Sequence, residues 1–533
     1  MTTSIFVVLV GLVSKFLLSR GSLEKYIPMP GGASFIWGHQ KYVFESSAGS
    51  AYTTWFRTLN SHVLQIRGAL GKPNILIIAD PLAINHIMIR RIYQYREHLF
   101  CSLVIPFAPF LIDNVLQEHS EVSRPRIERL LGRSLGWVEG ENEHKRMSQL
   151  VVHSFSWESV RSGAHNIYMA ANTMLQKSNG CVTLDITKIM QQATLDAIGR
   201  YAFAHDFGGG RSDEANCILN SWRSMAEVAI SLSGFYVGFT KEHVLMRTKD
   251  MQGLMLIRRV PILNRLPLRV IQSQGNVRRT IHAGIARELL IRNKDLLAQM
   301  SDEDVPEDLL FKLSKCIAGS ETTAQALSYA IWELAKNPPV QDRLRAEVKT
   351  ISPTFSFDQV QGSMPFLDAV TREILRLHPP TPYMERNAIE DDIIPLKYPL
   401  VDQGGKVHSE IRIHAGQTIV IPIHSVNRLT TSWGDGDVFR PDRWLEKDSL
   451  PLNEIVAGGW SSILTFSDGP RICTGYRLAI FEFKLFLAMI IDGFQFIDTG
   501  LKISDRYAST MNPVVVGEEK RGPQLPVTIT LVD

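Results

Sequence analysis

The sequence predicts a mainly α-helical protein with small β sheets. Apolar residues recur at helical spacing over most of Glu139 to Pro380. Strand-like alternation is confined to short runs on either side of that region. No stretch of linker composition divides the 533-residue chain after residue 40, so one large domain is expected there rather than several.

Taken in order, the first element is MTTSIFVVLVGLVSKFLLSR, apolar from Ile5 to Leu18 except for Ser14 and Lys15. A spanning helix needs about 20 apolar residues. This one is short, but no small-residue cleavage site follows it and Lys15 can reach toward an interface. Residues 1–20 therefore read as an uncleaved membrane anchor, with a buried N-terminal helix as the competing reading. A proline-bearing hinge, 21–40, contains Pro28 and Pro30, and 41–533 forms the large domain.

NILIIAD, from Asn74 to Asp80, reads as a strand. A long helix is expected from about Pro306, capped by Asp304, to Lys336, where Asn337-Pro338-Pro339 stops it. Its middle, CIAGSETTA, sets a glycine, an acid and hydroxyls into a buried stretch, which suggests a functional site or a kink. In FLDAVTREILRLHPP, Glu373 and Arg376 share a helix face, and apolar Leu367, Val370, Ile374 and Leu377 mark the buried side, so partial desolvation is one expectation; such a pair alone is usually a surface ion pair. IRIHAGQTIVIPI carries a turn at Ala415-Gly416 between two β-branched runs, and VTITLV alternates like a closing strand.

Composition excludes several function classes. Net charge is +3, from 57 basic and 54 acidic residues, which leaves no footprint for nucleic acid. Five cysteines without a C-x-x-C pair argue against a disulfide framework or a zinc knuckle. There is no G-x-S-x-G for a serine hydrolase, and Gly208-Gly209-Gly210 lacks a phosphate-loop lysine.

The informative cysteine is Cys473 in TFSDGPRICTGYRLA. The apolar helix that follows would supply amide donors and positive potential to a thiolate. Gly469 and Gly475 would let backbone approach a flat partner, Arg471 could hold an anionic group of it, and Phe466 could shield the sulfur. A thiolate bound to metal or cofactor and a plain buried cysteine both remain open on this evidence.

F-S-D-G-P-R-I-C-T-G matches the cytochrome P450 heme-binding signature F-x-x-G-x-R-x-C-x-G at every fixed position. A-G-S-E-T-T, the Glu373–Arg376 pair and FRPDRW match three further family motifs, in family order. The chain thus resembles microsomal, fungal-like cytochrome P450 enzymes over essentially its whole length. The resemblance implies a triangular helical prism around a buried heme, with 41–533 as the heme-thiolate catalytic domain. It makes Cys473 the axial thiolate ligand of the iron, whose electron donation favours O–O cleavage. Glu321 and Thr322 fall at the acid–alcohol pair that delivers protons to oxygen. Ala318, with Gly319, would leave space above the iron. Arg471 and Arg386 match positions that contact the heme propionates, and Glu373, Arg376 and Arg443 form a structural charge network. One departure stands out: the family's W-x-x-x-R is represented by His144 and Ser148. His144 could still donate to a propionate, with an exposed polar residue as the competing reading; for the arginine missing at Ser148, either Lys145 or Arg146 compensates or heme retention is weaker.

The implied reaction is insertion of one oxygen atom from O2 into a lipophilic substrate, of terpenoid, sterol or fatty-acyl type, in secondary metabolism. Electrons would come from NADPH–cytochrome P450 reductase, received on basic side chains near Lys145, Arg146 and Arg477. The implied location is the endoplasmic reticulum membrane, in contact with lipid and with the domain on the cytoplasmic side. Phe107, Phe110, Tyr383, Met384 and Met511 are candidate pocket residues, with core packing as the alternative. Residues 225–270 read as a membrane-resting hairpin or a buried helix. The competing functions are a heme-thiolate isomerase or dehydratase acting on a peroxide, and a non-catalytic heme- or ligand-binding membrane protein.

Overall fold

The computed structural model describes residues 23–97, 138–231, 307–446, 460–507 and 510–532, less short breaks at 36, 70–72, 176–180 and 204, together with residues 135, 234–235, 248–249 and 450. The expected anchor, the segment Cys101 to Leu116 with Phe107 and Phe110, and most of 225–270 lie outside these residues. Among the described residues no helix is long and apolar enough to cross a membrane.

Helices dominate. They include α1 (Glu141–Val152), α2 (Trp157–Leu175), α3 (Ile186–Phe203), α4 (Asp213–Ser231), α5 (Glu307–Lys336), α6 (Pro338–Lys349), α7 (Pro365–Leu377) and α8 (Tyr476–Gly493). Proline at the first turn starts α6 and α7, where its missing N–H costs nothing. The apolar sequence of α8 is buried from Ile480 through Ile491, and it packs against α2, α5, α6 and α7. The largest core cluster forms around it, with Leu327, Ile331 and Leu334 of α5 and Leu367, Val370 and Ile374 of α7.

Along the chain, the strands used below are β1 (Val63–Ile66), β2 (Ile75–Ile78), β3 (Tyr95–Glu97), β4 (Val182–Asp185), β5 (Met384–Ala388), β6 (Asp392–Val401), β7 (Val407–Ile413), β8 (Thr418–Ile421), β9 (Phe494–Asp498), β10 (Ile503–Tyr507), β11 (Met511–Val515) and β12 (Pro526–Leu531). The main sheet has the order β1-β2-β8-β5-β3, with β2 and β8 parallel. The Ala415-Gly416 turn, with Gly416 at φ +83°, does not close a hairpin. It passes the chain from β7, which pairs with β6, to β8, which pairs with β2 and β5. The closing strand β12 lies between β9 and β4. Residues 23–40 are tied to the main sheet: the Gln65 N–H donates to Pro28 O at 2.8 Å, and Leu23 and Ile27 are buried.

Candidate active site

The cysteine loop is held from both sides. The Cys473 N–H donates to Phe466 O at 2.8 Å, and the Phe466 ring sits edge-on to Trp460 with centroids 5.6 Å apart. Gly469, at φ +67°, cannot be replaced without collision, because a Cβ there would stand 2.3 Å from Met88 O. Its glycine thus serves backbone conformation and the docking of the loop on residues 86–94. A Cβ at Gly475 would meet no protein atom closer than Phe155 Cε1 at 4.0 Å. Next to the loop, Ser467 adopts φ +65°, ψ −168°, a region almost reserved for glycine.

The Cys473 side chain is accessible, yet burial within the surrounding protein raises its pKa, opposed by the Gly475 N–H. Both observations fit a side chain that lines a recess rather than the outer surface. The sulfur is open to that recess and forms no disulfide, so it can serve as a soft anionic donor to a metal. That is the donor chemistry of an iron ligand, and the residues present fit a heme-type group on this count.

Arg386 on β5 is 5% exposed, and its Nη1 donates to Glu385 O at 3.0 Å. Arg471 donates weakly to Val138 O, at 3.3 and 3.4 Å, and lies 5.8 Å from the centre of the Tyr93 ring. His144 is buried, 4% exposed, which corrects the reading of it as an exposed polar residue. Its Nδ1 lies 3.2 Å from the Tyr93 hydroxyl, a partner that sequence reasoning missed. Lys145 and Arg146 do not turn inward beside it. They pair on the exposed side of α1 with Glu141 at 2.7 Å and Glu143 at 2.6 Å.

The long helix α5 runs unbroken through 30 residues, so of the two readings of its middle the kink is absent. Instead two of its carbonyls take extra donors. Thr322 Oγ1 donates to Ala318 O at 2.8 Å, and Thr194 Oγ1 of α3 donates to Ser320 O at 2.9 Å. Ala318 is exposed and Thr322 half-buried, while Ser320 and Thr323 between and beside them are buried. Gly319 faces α3, where a Cβ would touch Ile198 at 3.5 Å, so the open face belongs to Ala318 and not to the glycine. Glu321 turns away from Thr322: its Oε1 accepts from Thr510 Oγ1 at 3.0 Å. Thr510 is in turn bonded to Asn512, whose Oδ1 accepts from Gln325 at 2.7 Å, one turn along α5. No sequence signal marks Thr510, which meets Glu321 across 189 residues. Tyr383 and Met511 are buried core residues, 7% and 0% exposed, so the pocket reading of them is replaced by packing.

Behind the loop, Glu373 and Arg376 are fully buried and doubly bonded at 2.8 and 2.9 Å, not a surface pair. Arg443 Nε at 3.0 Å, Trp444 Nε1 at 2.9 Å and the Arg440 N–H at 2.8 Å also donate to the Glu373 carboxylate. Arg376 continues to Asn427 O and Gly436 O. Asn427 then reaches Thr465, whose hydroxyl donates to Leu375 O at 2.6 Å. The charge network and the base of the cysteine loop are thus one hydrogen-bonded frame.

The cytochrome P450 family profile matches residues 134–520, more than half of the chain. The protein belongs to the cytochrome P450 family. Like its family, this P450 is a monooxygenase that uses heme bound through a thiolate. It is 29% identical to cytochrome P450 monooxygenase claO of Ampulloclitocybe clavipes, over 99% of this chain and 98% of the relative. It is 27% identical to cytochrome P450 monooxygenase 205 of Postia placenta, over 94% and 92% of the two chains. The crystal structure of the cytochrome P450DA heme domain superposes with a TM-score of 0.68 at 16% identity, covering 95% of this chain and 98% of that one, which establishes the P450 fold.

Proposed function

We propose that this P450 inserts one oxygen atom into a lipophilic substrate of terpenoid, sterol or fatty-acyl type, in secondary metabolism, with Cys473 as the iron ligand. The observation that carries the assignment is the Cys473 thiol, accessible yet enclosed, in a loop whose backbone is fixed at Phe466 and Met88. Heme held by a thiolate supplies reductive activation of dioxygen. The chain supplies the rest. Arg471, Arg386 and His144 would hold the carboxylates of the cofactor, and Phe466, Gly469 and Gly475 would shape the cysteine loop for it. Ala318, small and exposed on α5, would leave room for oxygen. Thr322 delivers a proton once its hydroxyl leaves the Ala318 carbonyl, and Glu321 replenishes that proton after turning from Thr510.

Electrons come from NADPH through a flavoprotein reductase. Lys145 and Arg146 already pair with acids of their own helix, so an acidic partner would compete with those contacts. Residues 1–20 hold the protein at the endoplasmic reticulum membrane, where lipophilic substrates dissolve.

The test is the carbon monoxide difference spectrum of the dithionite-reduced protein in microsomes. A strongly red-shifted Soret band is expected for the wild type, with its loss in Cys473→Ala. A persistent red-shifted band in that variant would refute the ligand assignment. Product formation that requires NADPH and reductase separates oxygen insertion from rearrangement of a peroxide.

A further inference from the structure

We propose that Tyr93 orients His144 as a hydrogen-bond donor through Nε2, and that this pair, beside Arg471, holds the cofactor carboxylate that an arginine at position 148 would otherwise hold. The inference rests on the heme-thiolate reading of the same site.

Three segments converge here. Residues 92–94 carry Tyr93, α1 carries His144, and the turn Gly469–Arg471 carries Arg471. They are fixed to one another: the cysteine loop lies against Met88 O and Ile89 at Gly469, and Arg471 meets Val138 O just before α1. The Tyr93 and His144 rings are 5.8 Å apart and inclined by 59°, so their contact is not a stack but the 3.2 Å approach of the hydroxyl to Nδ1. A neutral imidazole carries a single N–H. We take the phenol as the donor to Nδ1, which puts that hydrogen on Nε2 and makes the ring a directed donor.

The alternatives on α1 are disposed of by geometry. Ser148 is half-buried, short and uncharged. Lys145 and Arg146 are more than half exposed and engaged with Glu141 and Glu143. The cationic charge at this edge therefore comes from Arg471, whose guanidinium is 5.8 Å from the Tyr93 ring while the Tyr93 hydroxyl meets the imidazole. Tyr93 is a positioning residue, acting through His144.

The experiment is heme transfer from the purified full-length holoenzyme to an excess of heme-scavenging apoglobin, followed by absorbance. Tyr93→Phe should release heme about 5- to 10-fold faster, the effect of one lost hydrogen bond on a buried donor. His144→Ala should release it at least as fast, and the double variant no faster than His144→Ala alone. Ser148→Arg should slow release from the Tyr93→Phe protein. Unchanged release from Tyr93→Phe, additive effects in the double variant, or no rescue by Ser148→Arg would each overturn the proposal. The carbon monoxide spectrum of each variant keeps the two readings separate: a red-shifted band in the wild type with unchanged release in Tyr93→Phe sinks only the role of Tyr93. Absence of that band from the wild type sinks the heme-thiolate reading itself.

Discussion

Ser467 holds a backbone conformation that costs a non-glycine residue about 1–3 kcal/mol. Its hydroxyl is buried without a hydrogen-bond partner among the described residues, so the side chain returns nothing for that strain. Ser467→Gly should therefore stabilise the protein, raising the thermal midpoint of the holoenzyme by about 1–4 °C in scanning calorimetry. An unchanged or lower midpoint would mean that the serine has a role its contacts do not reveal. At this scale the sequence was legible where chemistry is local. Cys473, Gly469 and Arg471 are marked by their spacing within ten residues. Tyr93 and Thr510 are not, because each acquires its meaning from a partner brought up by the fold, 51 and 189 residues away. His144 was legible as a departure from a pattern, but its burial was not.

Among the elements, α5 shows what periodicity and caps can and cannot convey. Its C-terminal limit at Lys336 follows from Asn337-Pro338-Pro339. The continuity of its middle does not, since Thr194 of a different helix supplies the donor that lets the Ser320 carbonyl stay in place. Near its end, Glu333 accepts from His378 Nε2 at 2.9 Å and pairs with Lys336 at 3.1 Å. Burial alone would raise the Glu333 pKa, but the bond and charge of His378 together with Lys336 outweigh it and hold the carboxyl at about 2. The folded value lies below the unfolded one, near 4.5, so the folded state binds fewer protons between them. The resulting stability, about 3 kcal/mol for a gap of about 2.5 pH units, is complete above pH 4.5 and lost as pH falls toward 2. Urea unfolding across that window should give a shallower acid limb for Glu333→Gln than for the wild type. Parallel limbs would show that Glu333 contributes nothing there.

For the whole molecule, the helical class and the small sheets could be read from pattern, and the family from four ordered motifs. Sheet membership could not: β7 and β8 look like a hairpin in sequence, yet each finds its partners elsewhere. Nor could the complete burial of the Glu373–Arg376 pair: the apolar neighbours point to partial desolvation, but i, i+3 spacing is the same on a surface as in a core. With both residues fully buried, Glu373→Gln should leave the Arg376 guanidinium without its counter-charge and Arg443 with Asp435 alone, at a cost of about 3–5 kcal/mol. The expected outcome is little soluble protein and almost no bound heme, read as heme absorbance per mole of chain. Normal heme content would show that hydrogen bonds alone maintain the frame. The shared carboxylate also constrains how the sequence drifts. A lineage that loses Glu373 first passes through an uncompensated buried Arg376, whereas one that loses either arginine still leaves the carboxylate a cationic partner. The acid is thus the position least free to drift, and the arginines can change only while it stays.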